Sequence, residues 1–297
     1  MLKTVDENPA LPSVSINGTR LHAEAFGNPK DPMLVFLHGG PGGDYRNALS
    51  VKQFAGNGFY VVFYDQRGSG LSRRHPKNSY TIDIMFEDLR AVIDFYRTDP
   101  NQKIFLFGHS WGGILAAGYI DKYPEKIDGA IFAEPGGFTW KHLEEYSNQS
   151  RGLNLFSEPV SDVMYLDQFL TGKENDHELL DYKLNISSSF TYAPGNAEGI
   201  EGPSPTWRNG SVVLNSLGSI AARDGYDFTQ NLNQYNTKVL FIYGESNTAY
   251  GREGAEKEAD FFKVSQVTGI PDTGHEMIYF KWNSVYPVVL EYLNSLK

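Results

Sequence analysis

The 297-residue chain contains no cysteine. That excludes disulfides, thiolate metal sites and a cysteine nucleophile, and leaves the compartment undecided, because a cysteine-free protein is indifferent to redox state. No apolar run is long enough to span a bilayer, and residues 1–9 (MLKTVDENP) lack the apolar segment of a signal peptide. The expectation is a soluble protein, cytoplasmic by default; an exported chain whose leader had been removed would read the same way. Positive charge is also in deficit. The 26 Lys and Arg stand against 36 Asp and Glu, a net charge of -10, which argues against nucleic acid or an anionic membrane as partner. There is no internal repeat, and the one biased stretch is the Gly, Pro and Ser-rich patch at 193–205. The length suits one large α/β domain, or such a domain with an insertion, with a sizeable core.

What the sequence does contain is organised around residues 103–119, KIFLFGHSWGGILAAGY. A buried strand at 104–107 runs into Gly108-His109-Ser110-Trp111-Gly112, and a helix of small residues starts near Trp111. Strand, G-x-S-x-G and helix in this order form a nucleophile elbow. The turn leaves almost no room for side chains two residues either side of the serine, so glycine stands there. Ser110 is thereby held at the strand's carboxyl end, above the first amides of the helix.

The rest of the chain reads as an α/β alternation feeding that edge. An Asn17-Gly18 turn within 14–26 predicts an antiparallel hairpin at the sheet edge. Residues 33–37 (MLVFL) and 59–64 (FYVVFY) read as buried strands. The first empties into His38-Gly39-Gly40-Pro41-Gly42-Gly43, where backbone amides can face a ligand, with His38 packed structurally beneath the loop. The second empties into DQRGSGLS at 65–72, in which Asp65 and Arg67 are expected to pair and brace the loops. Helical periodicity covers 81–96, with Thr81 or Asp83 as the cap. A strand at 127–133 ends at Glu134-Pro135-Gly136-Gly137.

From 138 to 235 the alternation stops. Tryptophan and tyrosine mix there with acidic and amide residues, around helical patterns such as 162–171 and a loop-like stretch at 198–210. Such a break in an α/β alternation predicts a mainly helical cap over the sheet edge. The core is thus expected at 1–137 and 236–297, with a mostly parallel sheet and helices on both faces. Its last part supplies strands at 238–243 and 262–270 and helices at 251–262 and 284–296.

Among seven histidines, His275 alone lies in a glycine-flanked loop between the last strand and the last helix. A histidine there can take the serine proton and return it to a leaving group near neutral pH. His109 sits inside the elbow, with its side chain directed away from that of Ser110.

HGGPGG at 38–43, DQRGSGLS at 65–72, GHSWGG at 108–113 and TGHEM at 273–277 together resemble the proline iminopeptidase branch of the α/β hydrolases, serine peptidases of family S33. The resemblance covers the hydrolase core, while the cap matches in position and length. It implies the α/β-hydrolase fold and release of an N-terminal residue, often proline, from small peptides, without metal or other cofactor. It also implies an oxyanion hole made by the amides of Gly40 and Trp111.

One departure concerns the triad acid. The family's aspartate follows the strand at 238–243, where this chain has Gly244-Glu245-Ser246-Asn247. Asn247 occupies that place and can orient an imidazole without stabilising its positive charge. Glu134 is the preferred substitute, in a setting similar to that of pancreatic-type lipases, whose acid comes from the earlier strand; Glu245 is second, and an engineered Asp-to-Asn change at 247 is a third explanation. Closing the cap hinge or receiving an ammonium is the alternative role for Glu134.

The resemblance further implies cap carboxylates that hold a free α-amine, since a buried ammonium must be paired. Glu198 and Glu201, beside Trp207, are the candidates, and Trp140, Tyr192 and Trp207 are candidate walls of an apolar pocket. The leading reading is an aminopeptidase acting on short peptides. A carboxylesterase or lactonase on small acyl substrates is the second reading, and a binding protein on a degenerate hydrolase scaffold the third. Serine at 110 argues against dehalogenase and epoxide-hydrolase branches, which use aspartate. Nothing in the sequence sets the oligomeric state.

Overall fold

The computed structural model describes residues 1–150, 177–188 and 195–297. Two sequence expectations, the helical pattern at 162–171 and Tyr192 as a pocket wall, lie outside the described residues. Among those described, the strands are β1 (Ser13–Ile16), β2 (Thr19–Phe26), β3 (Met33–Leu37), β4 (Tyr60–Tyr64), β5 (Ile104–His109), β6 (Gly129–Ala133), β7 (Val239–Gly244) and β8 (Ser265–Ile270). They form one sheet in the order β1-β2-β4-β3-β5-β6-β7-β8. The Asn17-Gly18 hairpin makes β1 and β2 antiparallel, and every pairing from β4 to β8 is parallel.

The apolar runs are central because both of their faces are covered. β3, β4, β5 and β6 are buried at every position, and alternate residues serve opposite sides. Met33, Val35 and Leu37 join a core with α1 (Ile82–Tyr96) and α2 (Trp111–Lys122), while Leu34 and Phe36 join one with the 3₁₀ segment Arg46–Asn57 and the C-terminal helix. A buried Val, Leu, Ile or Phe contributes about 1.5–3 kcal/mol, so these two layers dominate the stability. Thr81 caps α1 by accepting from the Ile84 amide at 3.1 Å, and Met85, Leu89, Val92 and Ile93 form its buried stripe.

The expected insertion carries α3 (Trp140–Gln149), α4 (His177–Ser188) and α5 (Ser211–Asp224) among the described residues. Its neck is pinched where Trp140 N donates to Tyr226 O and Phe228 N to Phe138 O, at 2.9 and 3.0 Å. Leu180, Val212, Val213 and Leu217 of this segment are buried in the same cluster as Leu232 and Tyr235 and the strands beneath. Asp181 of α4 is fully buried and accepts from Arg74 Nε (2.9 Å), Arg208 Nε (2.8 Å) and the Ser211 amide (2.9 Å), tying α4 to α5 and to the loop after β4. The chain then resumes its alternation with α6 (Gly251–Ala259), a single turn α7 (Met277–Phe280) and α8 (Trp282–Leu296). α6 ends three residues before the expected 262, since Phe262 turns into the core.

The expected Asp65–Arg67 pair does not form. Arg67 instead holds Asp88 of α1 through Nε and Nη2 at 2.7 and 2.8 Å. Asp65 turns inward to the His22 ring (2.8 Å) and accepts from the amides of Tyr45 and Leu71. Each charge thus finds its partner on a different neighbouring element, and the loop is braced on both sides.

Candidate active site

The elbow is built as tightly as its glycines suggested. Ser110 has φ 52° and ψ -125°, a conformation that a non-glycine residue keeps only where its surroundings enforce it. A Cβ on Gly112 would lie 1.9 Å from Leu37 O, so α2 could not start this close to β3 with any other residue. Ser110 N donates to Ala133 O of β6 at 2.9 Å, and Ser110 O accepts from Gly113 N at 2.8 Å. The serine therefore stands between strand and helix with its backbone fully committed. Trp111 is the first residue of α2, so its amide is among those without a helical acceptor.

The glycine loop after β3 lies against the nucleophile. A Cβ on Gly39 would be 3.1 Å from Ser110 Cβ, and Gly40 lines the same cavity as Ser110 and Trp111. His38 fixes the loop from below, donating from Nδ1 to Gly39 O (2.8 Å) and accepting the Gln66 amide at Nε2 (2.9 Å). Burial pushes its pKa down, consistent with a neutral ring. Gln66 also accepts from Trp111 Nε1 (2.8 Å) and donates to His38 O (3.0 Å). This glutamine joins the two loops to the elbow, a role that sequence reading missed because the amide lies in a turn without periodicity.

His275 and Glu134 meet. His275 Nδ1 donates to Glu134 Oε2 at 2.8 Å, and the carboxylate is fully buried. Glu134 leaves β6 with φ 45°, a second left-handed non-glycine residue at a neighbouring strand end. Its Oε1 accepts from Gly244 N and its Oε2 from Asn247 Nδ2, both at 2.7 Å. Three donors surround the group, which is what an ionised carboxylate in a dry site needs. Asn247 is bonded to the acid and not to the imidazole. Glu245 is exposed and lines a separate groove of about 510 Å³ that includes neither Ser110 nor His275.

With Nδ1 donating, Nε2 of His275 is left as the acceptor for a serine proton. Burial alone would lower the pKa of this imidazole; the bond to Glu134 and the charges of Glu198, Glu134 and Glu276 outweigh it, and the net shift is upward. His109 lies behind, its Nε2 donating to His275 O at 2.8 Å and its ring centroid 4.8 Å from that of His275. Burial, and then the His275 charge, lower its own pKa.

Ser110, His275, Gly40, Trp111 and Glu198 line one cavity of about 120 Å³, with Ile114, Leu143 and Leu214 among its apolar walls. Glu198 is buried, its side chain accepts from Tyr146 Oη, and its backbone carbonyl accepts His275 N at 2.9 Å. The other substrate candidates fall elsewhere. Glu201 is exposed and accepts from Thr273 Oγ1 at 2.6 Å. Trp207 packs edge-on to His22 and Tyr45, its ring serving the core where the insertion meets the glycine loop. Trp140 stacks edge-on with Tyr226 at the insertion's neck. Tyr146 was not foreseen, because one tyrosine on an amphipathic helix gives no signal of which cavity it reaches.

A profile of the alpha/beta hydrolase fold family matches residues 32–281. The chain belongs to that family. This hydrolase is 41% identical over 100 residues to a proline iminopeptidase of Thermoplasma volcanium, a match covering 34% of the chain and 33% of that protein. It is 25% identical over 277 residues to epoxide hydrolase 3 of Mus musculus, covering 90% of the chain and 71% of that protein. The matched region spans about a third of the length of the first curated relatives. The crystal structure of a proline iminopeptidase of Mycobacterium smegmatis superposes with a TM-score of 0.63 at 17% identity, over 95% of this chain and 97% of that one. At that identity the superposition speaks for the shared fold.

Proposed function

We propose that this hydrolase is a serine aminopeptidase of proline iminopeptidase type, releasing an N-terminal residue from short peptides through an acyl-enzyme on Ser110. The observation that carries the reading is the buried carboxylate of Glu198 in the cavity shared by Ser110 and His275. A free α-ammonium entering this cavity would itself need an anionic partner, because a buried charge must be paired, and Glu198 is the carboxylate that lines it. The small cavity with apolar walls suits a compact N-terminal side chain, and the partial match to a proline iminopeptidase supports the same class.

In this reading His275 Nε2 removes the Ser110 proton as Oγ attacks the scissile carbonyl. The amides of Gly40 and Trp111 receive the oxyanion, where preorganised donors lower the barrier most. Protonated His275, held by Glu134 at Nδ1, gives its proton to the leaving amine. Water, activated by the same imidazole, then cleaves the acyl-enzyme and restores Ser110. Aspartate-nucleophile chemistry of the epoxide-hydrolase kind is disfavoured by a serine at the elbow.

The deciding assay compares proline and alanine arylamides with p-nitrophenyl acyl esters. Arylamide turnover that is lost on N-acetylation of the substrate is the expected result. Ester turnover without arylamide turnover would replace the aminopeptidase by a carboxylesterase or lactonase.

A further inference from the structure

We propose that Asn247 is a positioning residue whose amide group holds Glu134 in place for His275, so that the position after β7 acts as a donor to the acid of β6. The inference rests on the serine hydrolase reading above. β6 and β7 are neighbouring parallel strands, with Ala133 beside Ile242 in register; Glu134 follows β6 directly, and Asn247 lies in the turn three residues beyond the end of β7. Glu134 Oε2 accepts from His275 Nδ1 and from Asn247 Nδ2, at 2.8 and 2.7 Å. The opposite end of the asparagine settles its orientation. Asn247 Oδ1 accepts from the amides of Ala249 and Tyr250, at 3.0 Å each, and so only Nδ2 can face the carboxylate. Both residues are buried, Glu134 at 0% and Asn247 at 2% exposure, so bulk water does not stand in for this donor.

Aspartate at 247 is a nearly isosteric test. It keeps an acceptor for Ala249 and Tyr250 and changes only the atom that faces Glu134. Two carboxylate oxygens at this separation cannot both ionise readily, and the pair shares one proton. While that proton is present, a protonated carboxyl at 247 donates as the amide did. As pH rises and the proton leaves, the two charges repel and the hold on Nδ1 loosens. The other ionisable groups near the site are His275 itself, His109 behind it, Glu198 and Glu276 about the imidazole, and Glu258 with the buried Tyr250 hydroxyl. They are common to both proteins, so the comparison isolates position 247.

The experiment measures kcat/KM for a p-nitrophenyl ester from about pH 5 to about pH 9. Wild type and Asn247→Asp are compared, each with glutamate and with glutamine at 134, and Tm is recorded at every pH. Asn247→Asp is expected to stay within about tenfold of wild type at the acid end and to fall more than about tenfold below it at the alkaline end. With Glu134→Gln in place, the same change should produce no alkaline loss, the non-additivity expected of residues acting through one another. Equal profiles for wild type and Asn247→Asp, or a gain at every pH, would overturn the proposal. If wild type turns over neither ester nor arylamide, the hydrolase reading fails separately and Tm decides. The shared proton gives the folded pair a raised pKa, so the stability of Asn247→Asp should drop relative to wild type as pH rises. A Tm difference that does not change with pH would reject the positioning role.

Discussion

Replacing Glu134 by glutamine changes one atom at the most constrained point of the site. The carboxylate accepts from Gly244 N on one oxygen and from His275 Nδ1 and Asn247 Nδ2 on the other. A carboxamide has a single oxygen. If it faces Gly244, its NH₂ meets two donors, and His275 must rotate away or adopt the tautomer protonated at Nε2, which cannot take the Ser110 proton. If it faces His275, the NH₂ meets Gly244 N, and a buried amide loses its acceptor at a cost of about 1–3 kcal/mol. In a serine triad the change from carboxylate to amide lowers kcat by about 10⁴, close to 5 kcal/mol of barrier at 1.36 kcal/mol per decade. Glu134→Gln is therefore expected to fold, to melt somewhat earlier, and to lose about four decades of kcat. Steady-state hydrolysis of an ester, with thermal denaturation in parallel, measures both. Activity within about tenfold of wild type would refute the assignment of Glu134 as the acid.

Glu198→Gln should raise KM for arylamides bearing a free amine by about 10–100-fold, the worth of one charge-assisted bond, while leaving neutral esters within a few-fold; equal effects on both substrates would remove Glu198 from amine binding. Because the His275 pKa is raised, the imidazole stays protonated to higher pH than usual, and the acidic limb of kcat/KM should lie above about 6.5. Glu198→Gln, which removes one of the charges responsible, should move that limb down, and an unmoved limb would contradict the electrostatic account. Asp181→Ala removes the carboxylate shared by Arg74 and Arg208, leaving Arg208 with Glu7 and Arg74 with backbone carbonyls, and should cost about 2–4 kcal/mol in denaturant titration; a loss below about 1 kcal/mol would mean that this network does not hold α4 to the core.

The architecture was legible because its signals are local and periodic. Apolar runs such as 33–37 and 104–107 can be satisfied only inside a two-sided sheet, and glycines about Ser110 announce a turn that few other residues permit. The triad acid needed a different argument. Asn247 in the expected place pointed away from β7, and Glu134 became a candidate from its position at a strand end. Geometry added what no spacing contains: that one carboxylate oxygen is shared by His275 and Asn247. Side-chain partners across loops were the least legible part. Asp65 and Arg67 are two residues apart and opposite in charge, yet His22, Tyr45 and Asp88 claim them, because pairing is decided by which elements the fold brings near. Trp207 likewise looked like a pocket wall from its neighbours in sequence, and its ring was claimed by His22 and Tyr45.

The most direct test of the account is covalent labelling with a fluorophosphonate, followed by peptide mapping. A working Ser110, His275 and Glu134 arrangement predicts stoichiometric modification of Ser110 in wild type, none in Ser110→Ala, and strongly slowed labelling in Glu134→Gln. Wild-type protein that is folded and takes up no label would contradict it.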